Sequence, residues 1–535
     1  MGLFSKFRKD RQYKEEELPW YGLRSIYGHL SDHVGEDGKL TEAAMNLPDE
    51  ERRYSGSNIR WAPGALDGAF GHHAGGQENA EEIKNIVEMV SLIARSDAQA
   101  AKVALYEMLT EDNLLSFIDG LVEEILGAKI PIEPHLHRFL RWLAFDAPDR
   151  GPVKFGISLL GLIGDHRDAK KLFTLGLHDE FTLYVAVAIG NSMEDPEPTL
   201  WRLAQLLDGW GRIQIVERLA ETGDPKIKRW MVREGFRNSI MNEYLAYVCA
   251  VAGDLLAQLQ AGDVDEDLLN GTSDLVYALI GPGPAADLTQ YEDGSEVVAV
   301  LVEQMRTRAQ TFAHYLTLQS VREFLEGEED WESLRRLGWT EDHRTNLLID
   351  LHPILVDPRW HELVAQNLDA EDDFEFHQAN MVAKYLEIDM WTTHFARVQA
   401  DPTQAMRWFN LMQATGDERI DEVIVLAESL LPLQEIASGP AEENGLGEEF
   451  MPHQCLDFIV QDIGHYPGRG IRLIYSALRS PVIRNRHLAI RALATWGEHQ
   501  WPEGMRTQLE AVRKEEPFTE TQELLDKVLT GQELE

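Results

Sequence analysis

Residues 152 to 236 carry one helix-turn-helix pattern three times over. Gly164-Asp165-His166-Arg167-Asp168, Glu194-Asp195-Pro196-Glu197-Pro198 and Gly223-Asp224-Pro225-Lys226-Ile227 are turn signals of similar chemistry, spaced about 30 residues apart. Each follows an apolar run (Val153 to Ile163, Leu183 to Ile189, Ile213 to Leu219) and precedes another (Lys170 to Leu177, Thr199 to Leu207, Lys226 to Val232). A helix pair this short cannot bury its apolar face alone, so successive pairs must stack. The pattern therefore predicts an all-α chain, an α-solenoid of antiparallel helix pairs stacked into a curved array.

Helical spacing of apolar residues resumes near Asn79, where Ile83, Ile86, Val87 and Val90 follow Glu81 and Glu82, and continues almost without β-type alternation. The expected organisation is a basic tail over 1–17, an irregular Gly/Pro-rich segment over 18–78, and helical repeats over 79–280. A loop over 281–294 opens with Gly281-Pro282-Gly283-Pro284; repeats over 295–437 end at a second loop, 438–450, and a last set of repeats fills 451–535. The 18–78 segment carries Trp20, Tyr21, Tyr27, Tyr54, Trp61 and Phe70, an aromatic content unlike that of a free linker, so it should pack on the helices.

Composition narrows the partners. Fifty basic residues against 91 acidic ones give a net charge of −41, a field that repels phosphate backbones and disfavours general nucleic-acid binding. Cys249 and Cys455 are the only cysteines, too few for a disulfide framework or a thiolate metal cluster, and a reducing cytoplasm fits best. No run approaches the roughly 18 apolar residues of a membrane span. In the basic tail, Leu3, Phe4 and Phe7 alternate with Lys6, Arg8, Lys9 and Arg11, which reads either as a solvated tail or as a short arm touching a membrane surface or partner. Lys6 stands where a myristoylation signal needs Ser or Thr.

Two stretches resemble known families. Ser480-Pro481-Val482-Ile483 through Leu493, with apolar residues at 482, 483, 488, 489, 492 and 493, resembles the first turn and helix of a HEAT repeat, and the likeness extends over 152–236 and 470–530. Within 210–254, Trp210-Gly211-Arg212-Ile213, Glu217-Arg218-Leu219, Arg233-Glu234-Gly235, Asn238 and Met241 to Ala246 resemble the central block of a bacterial family often labelled limonene hydroxylase. That resemblance implies a terpene mono-oxygenase, an activity that needs haem, flavin or a metal to handle oxygen. The sequence has no glycine-flanked haem-ligand cysteine, no Gly-x-Gly-x-x-Gly after a strand and no Glu-x-x-His. The expectation is a chain with no cofactor, so an optical spectrum of the purified protein should show neither a Soret nor a flavin band.

Catalytic and metal motifs are weak. His72-His73 sits in a glycine-rich loop, His135 and His137 would diverge on a helix, and Glu371 to His377 lacks the glycine and spacing of a calcium loop. No metal site is expected. Charge segregation is the stronger clue. Between Ile463 and Gly497 there is no Asp or Glu, while Arg469, Arg472, Arg479, Arg484, Arg486 and Arg491 are basic; Asp421 to Phe450 is the reverse, acidic with no Lys or Arg. The two blocks either neutralise one another or leave an arginine face for an acidic peptide, phosphate or nucleic acid. A second candidate groove is Arg212, Arg218, Glu234, Asn238 and Tyr244; their other reading is that they satisfy helix ends. The functional expectation is a non-catalytic scaffold that binds a protein or peptide, with an enzyme whose site is assembled from several repeats as the alternative.

Overall fold

The computed structural model describes residues 13–54, 60–68, 80–111, 118–131, 134–163, 166–262, 264–368 and 372–534. The tail through Arg11, the His72-His73 loop, the start of the first turn signal and Glu371 lie outside the described residues. Among the described residues the fold is all-α, with no β-strand; two isolated bridges, Val34 with Leu40 and Glu443 with Val482, are the extended pairings. No helix among them is long and apolar enough to cross a membrane. The chain divides into two compact units, Met1–Asp357 and Pro358–Glu535, a boundary inside the 295–437 stretch.

In the first unit the three turn signals fall between helices. Arg150–Ile163 is followed by Ala169–Gly176, Asp179–Ser192 by Glu197–Ala204, and Trp210–Arg218 by Pro225–Trp230. The last pair shows how local sequence sets the turn: the Asp224 side chain accepts from Lys226 N at 2.8 Å and Pro225 occupies the first helical position, where its missing N–H costs nothing. The first helix of each pair packs on the first helix of the next. Pro134–Asp146 meets Arg150–Ile163, which meets Asp179–Ser192, then Trp210–Arg218, Glu243–Ala252, Glu266–Ile280, Phe312–Glu326 and Glu341–Leu355. The Arg150 helix lies deepest, and its glycines let neighbours approach: a Cβ on Gly156 would stand 2.6 Å from Ala144 N, and one on Gly161 2.6 Å from Ala188 Cα.

The described residues before Ala80 form short helical turns joined by irregular chain, and they pack on this row. Trp20 lies 4.7 Å from the rings of both Tyr106 and Trp142, Ile26 N donates to Ala147 O at 3.1 Å, and the short helix Ile26–Asp32 lies on the Pro134 and Ala169 helices.

The second unit repeats the arrangement. Ala405–Gln413, Met451–Ile463, Ile483–Trp496 and Thr519–Leu529 pack in succession around a core that includes Trp408, Cys455, Leu456, Ile459, Ile490 and Trp496. The acidic loop is stitched to the entry of the Ile483 helix: Gly439 N donates to Arg479 O at 2.9 Å and Ile483 N to Glu443 O at 3.0 Å.

Candidate functional site

The Ile483 helix carries three of the six arginines, Arg484, Arg486 and Arg491, and its phase decides where they go. Residues 482, 486, 489 and 493 share its inner face, so Arg486 points into the core beside Val482, Ala489 and Leu493. There it is fully buried and makes a two-pronged pair with Glu516, Nε to Oε2 and Nη2 to Oε1, both at 2.8 Å. Its Nη1 donates to the carbonyls of Ser480 at 2.7 Å and Pro481 at 2.9 Å. Arg486 is thus a buried clamp between the Ile483 helix and the chain entering the Thr519 helix, and is not part of a surface.

The other five lie outside. Arg469 reaches Asp421 at 3.8 Å and Arg472 reaches Glu428 at 3.6 Å, both within the acidic block. Arg479 stands 4.0 Å from Glu515, and Arg484 stands 3.3 Å from the buried Asp457. Burial pushes the Asp457 carboxyl up to about 6, against the opposing effects of the Asn485 amide and of Arg484. Arg491 is exposed and has no ion pair among the described residues.

Arg484, His487, Leu488 and Arg491 follow the i, i+3, i+4, i+7 spacing of one helix face. That face forms a wall of a shallow recess of about 490 Å³, closed on its other sides by Phe518, Glu520 and Glu443. His487 is anchored there, with Nε2 2.7 Å from Thr521 Oγ1 and its ring stacked on Phe518 at 6.5 Å; burial, with Arg486 and Arg491 adding to it, pushes its pKa down. A second recess of about 490 Å³ continues along the same helix past Ala494 and Thr495 towards Trp501, Val528 and Leu534. Arg491 lines both, so the two recesses meet at this one unpaired cation.

The 210–254 residues are used up locally. Arg212 Nη2 donates to Glu234 O at 2.6 Å and its guanidinium lies 5.3 Å from the Trp230 ring; Arg218 donates to Gln214 O at 2.6 Å. The Glu234 carboxylate takes Arg237 at 2.7 Å. Asn238 closes the turn, its Oδ1 accepting from Ile240 N and Met241 N at 2.9 and 2.8 Å, and Tyr244 is buried edge-on against Trp210 at 5.1 Å. These contacts hold helix ends and link adjacent repeats.

Motif reading missed a third cluster. Arg150 and Lys154, one turn apart on the deepest helix, are both buried. Arg150 grips Asp49 through Nη2 at 3.0 Å and Nε at 3.0 and 3.2 Å, and reaches Glu50 at 2.5 Å. Lys154 Nζ lies 2.7 Å from Asp67 Oδ2 and 2.6 Å from Glu180 Oε1. Burial alone would push the Glu180 carboxyl up, but Lys154 and Arg150 outweigh it and hold it at about 2. Burial raises the Asp67 carboxyl despite Lys154. The cluster ties the irregular N-terminal segment to the repeat row. A cation inside the Val153 to Ile163 apolar run was its one trace in the sequence.

Among the described residues, no group of three or more His, Cys, Asp or Glu is placed to hold a metal ion. No protein-family model matches the chain and no curated protein matches it, so neither the HEAT nor the limonene hydroxylase resemblance gains support from comparison.

Proposed function

We propose that the protein is a helical-repeat scaffold, each unit an α-solenoid, that binds a protein or peptide segment along the outer face of the Ile483 helix. The observation that carries this reading is Arg491, an exposed guanidinium without a carboxylate partner among the described residues, at the junction of two recesses. A planar guanidinium takes a carboxylate or phosphate through two parallel hydrogen bonds. Leu488 and Phe518 beside it offer apolar contact, so the fitting segment carries an acidic group next to an apolar side chain. Glu443 and Glu520 on the same walls keep the groove close to neutral overall, which disfavours a polyanion such as nucleic acid.

A photo-crosslinking residue at position 488 tests this in lysate from the native host. The expected result is a discrete crosslinked partner that weakens with Arg491→Glu and with rising salt, because screening at 0.15 M acts over about 8 Å. The melting transition should stay where it is, since the reversal breaks no pair inside the fold. Crosslinking indifferent to both charge reversal and salt would remove this groove as the binding site.

A further inference from the structure

A different cavity, of about 490 Å³, opens in the second unit between the helices Asp373–Tyr385, Trp391–Ala400 and Ala405–Gln413. Its apolar lining includes Met381, Ile388, Met390 and Phe409, and its polar lining includes Asn380 and Asn410. His394 is buried beside it, and burial, with Arg397 adding to it, pushes its pKa down to about 4. The neutral ring therefore donates from Nε2 to Asn380 Oδ1 at 2.9 Å, which leaves the Asn380 amide nitrogen free to donate elsewhere.

One edge of the cavity is built from a residue in the wrong backbone conformation for its type. Ile388 N bonds to Ala383 O at 2.9 Å and Glu387 N to Lys384 O at 3.2 Å, the paired bonds of a Schellman helix end. Its left-handed position, where glycine is the ordinary residue, is Glu387 at φ +55°. Asp97, Lys129 and Asp254 also have positive φ; the side chains of Asp97 and Asp254 pair with Lys102 and Lys228, while Lys129 makes no ion pair among the described residues. Glu387 has no such pair among the described residues, and it lines the cavity.

Lys384, three residues earlier on the same edge, is exposed and likewise has no ion pair among the described residues. Asp389, the other carboxylate of the lining, is occupied by Arg419 at 2.8 Å. Among the described residues the lining therefore carries one cation and one anion without ion pairs, alongside the apolar side chains of Met381, Met390 and Phe409. We propose that this cavity binds a small zwitterion, an amino acid or dipeptide with a large apolar side chain, its carboxylate on Lys384, its ammonium on Glu387 and its side chain among Met381, Met390 and Phe409. This site is separate from the groove at Arg491 and does not depend on it.

Isothermal titration of the full-length protein with L-leucyl-L-phenylalanine, its N-acetyl form and its C-terminal amide tests the proposal. The free dipeptide should bind, and each capped form about tenfold or more weaker, as loss of one charge-assisted contact requires. Lys384→Ala should abolish discrimination against the amide, and Glu387→Gly discrimination against the N-acetyl form. Glu387→Gly should also melt higher than the parent, because glycine relieves the left-handed backbone, so its loss of binding cannot be ascribed to unfolding. Absence of binding by the free dipeptide, equal binding of the capped forms, or unchanged discrimination in Glu387→Gly would each overturn the assignment.

Discussion

Glu516→Ala should lower the stability of the full-length protein by about 3–5 kcal/mol, the cost of leaving a buried charge without its partner. Arg486 has no access to solvent, and Glu516 receives two of its donors, while Ser480 and Pro481 carbonyls receive two more. Removing the carboxylate strands a guanidinium among Val482, Ala489 and Leu493, where water cannot reach it. Glu516 also accepts from Phe518 N at 3.1 Å, so the turn that brings in the Thr519 helix loosens as well. The double replacement Arg486→Met with Glu516→Leu should recover much of the loss, because it removes both charges and keeps most of the volume. A denaturant or thermal melt of the three proteins decides it; a Glu516→Ala variant that melts with the parent would mean that Arg486 is solvated in solution. The contrast with Arg491→Glu, seven residues from Arg484 on the outer face, is the sharpest test of helix phase in this region.

That phase was partly legible in the sequence. The turn signals at 164, 194 and 223 identify the helix boundaries because Asp-Pro and Gly-Asp pairs act through local backbone chemistry. The same periodicity places Arg486 on the stripe of Val482, Ala489 and Leu493, yet a reading by charge alone groups it with its five exposed neighbours. The partners were not legible. Glu516 is 30 residues from Arg486, and Asp49 is 101 residues from Arg150, separations that no local rule spans. Nor does Tyr385-Leu386-Glu387-Ile388 announce a helix end, since the residue that normally marks one is glycine. The boundary between the units falls at Asp357-Pro358, an Asp-Pro pair like those of the repeat turns, so the sequence marks a helix break there but nothing sets it apart from the other turns as a boundary between units.

Lys154→Met should have an effect of similar size in the first unit, about 3–5 kcal/mol, with a pH signature of its own. Lys154 separates two buried carboxylates, Asp67 and Glu180; without it they face each other with only Arg150, 3.7 Å from Glu180, to compensate. The direction with pH follows from Glu180. Its folded pKa of about 2 lies below the ordinary 4.5, so the folded state holds fewer protons than the unfolded one between those values. The stabilisation is complete above about pH 4.5 and is lost as pH falls towards 2. His178, pushed down by burial to about 4 from 6.5, adds an acid loss that begins earlier, as pH falls below 6.5, and both proteins share it. In the variant Glu180 no longer has its lysine, so protonation relieves the site rather than breaking it. The stability gap between parent and variant should therefore hold from pH 7 to about 4.5 and narrow as pH falls from there towards 2, and limited proteolysis at pH 7 should cut the variant first around residues 60–68, where Gly64 N donates to Glu180 at 3.2 Å. A gap that stays constant between pH 4.5 and 2 would show that Lys154 contributes packing alone and that the N-terminal segment is held by Arg150 and Asp49 without it.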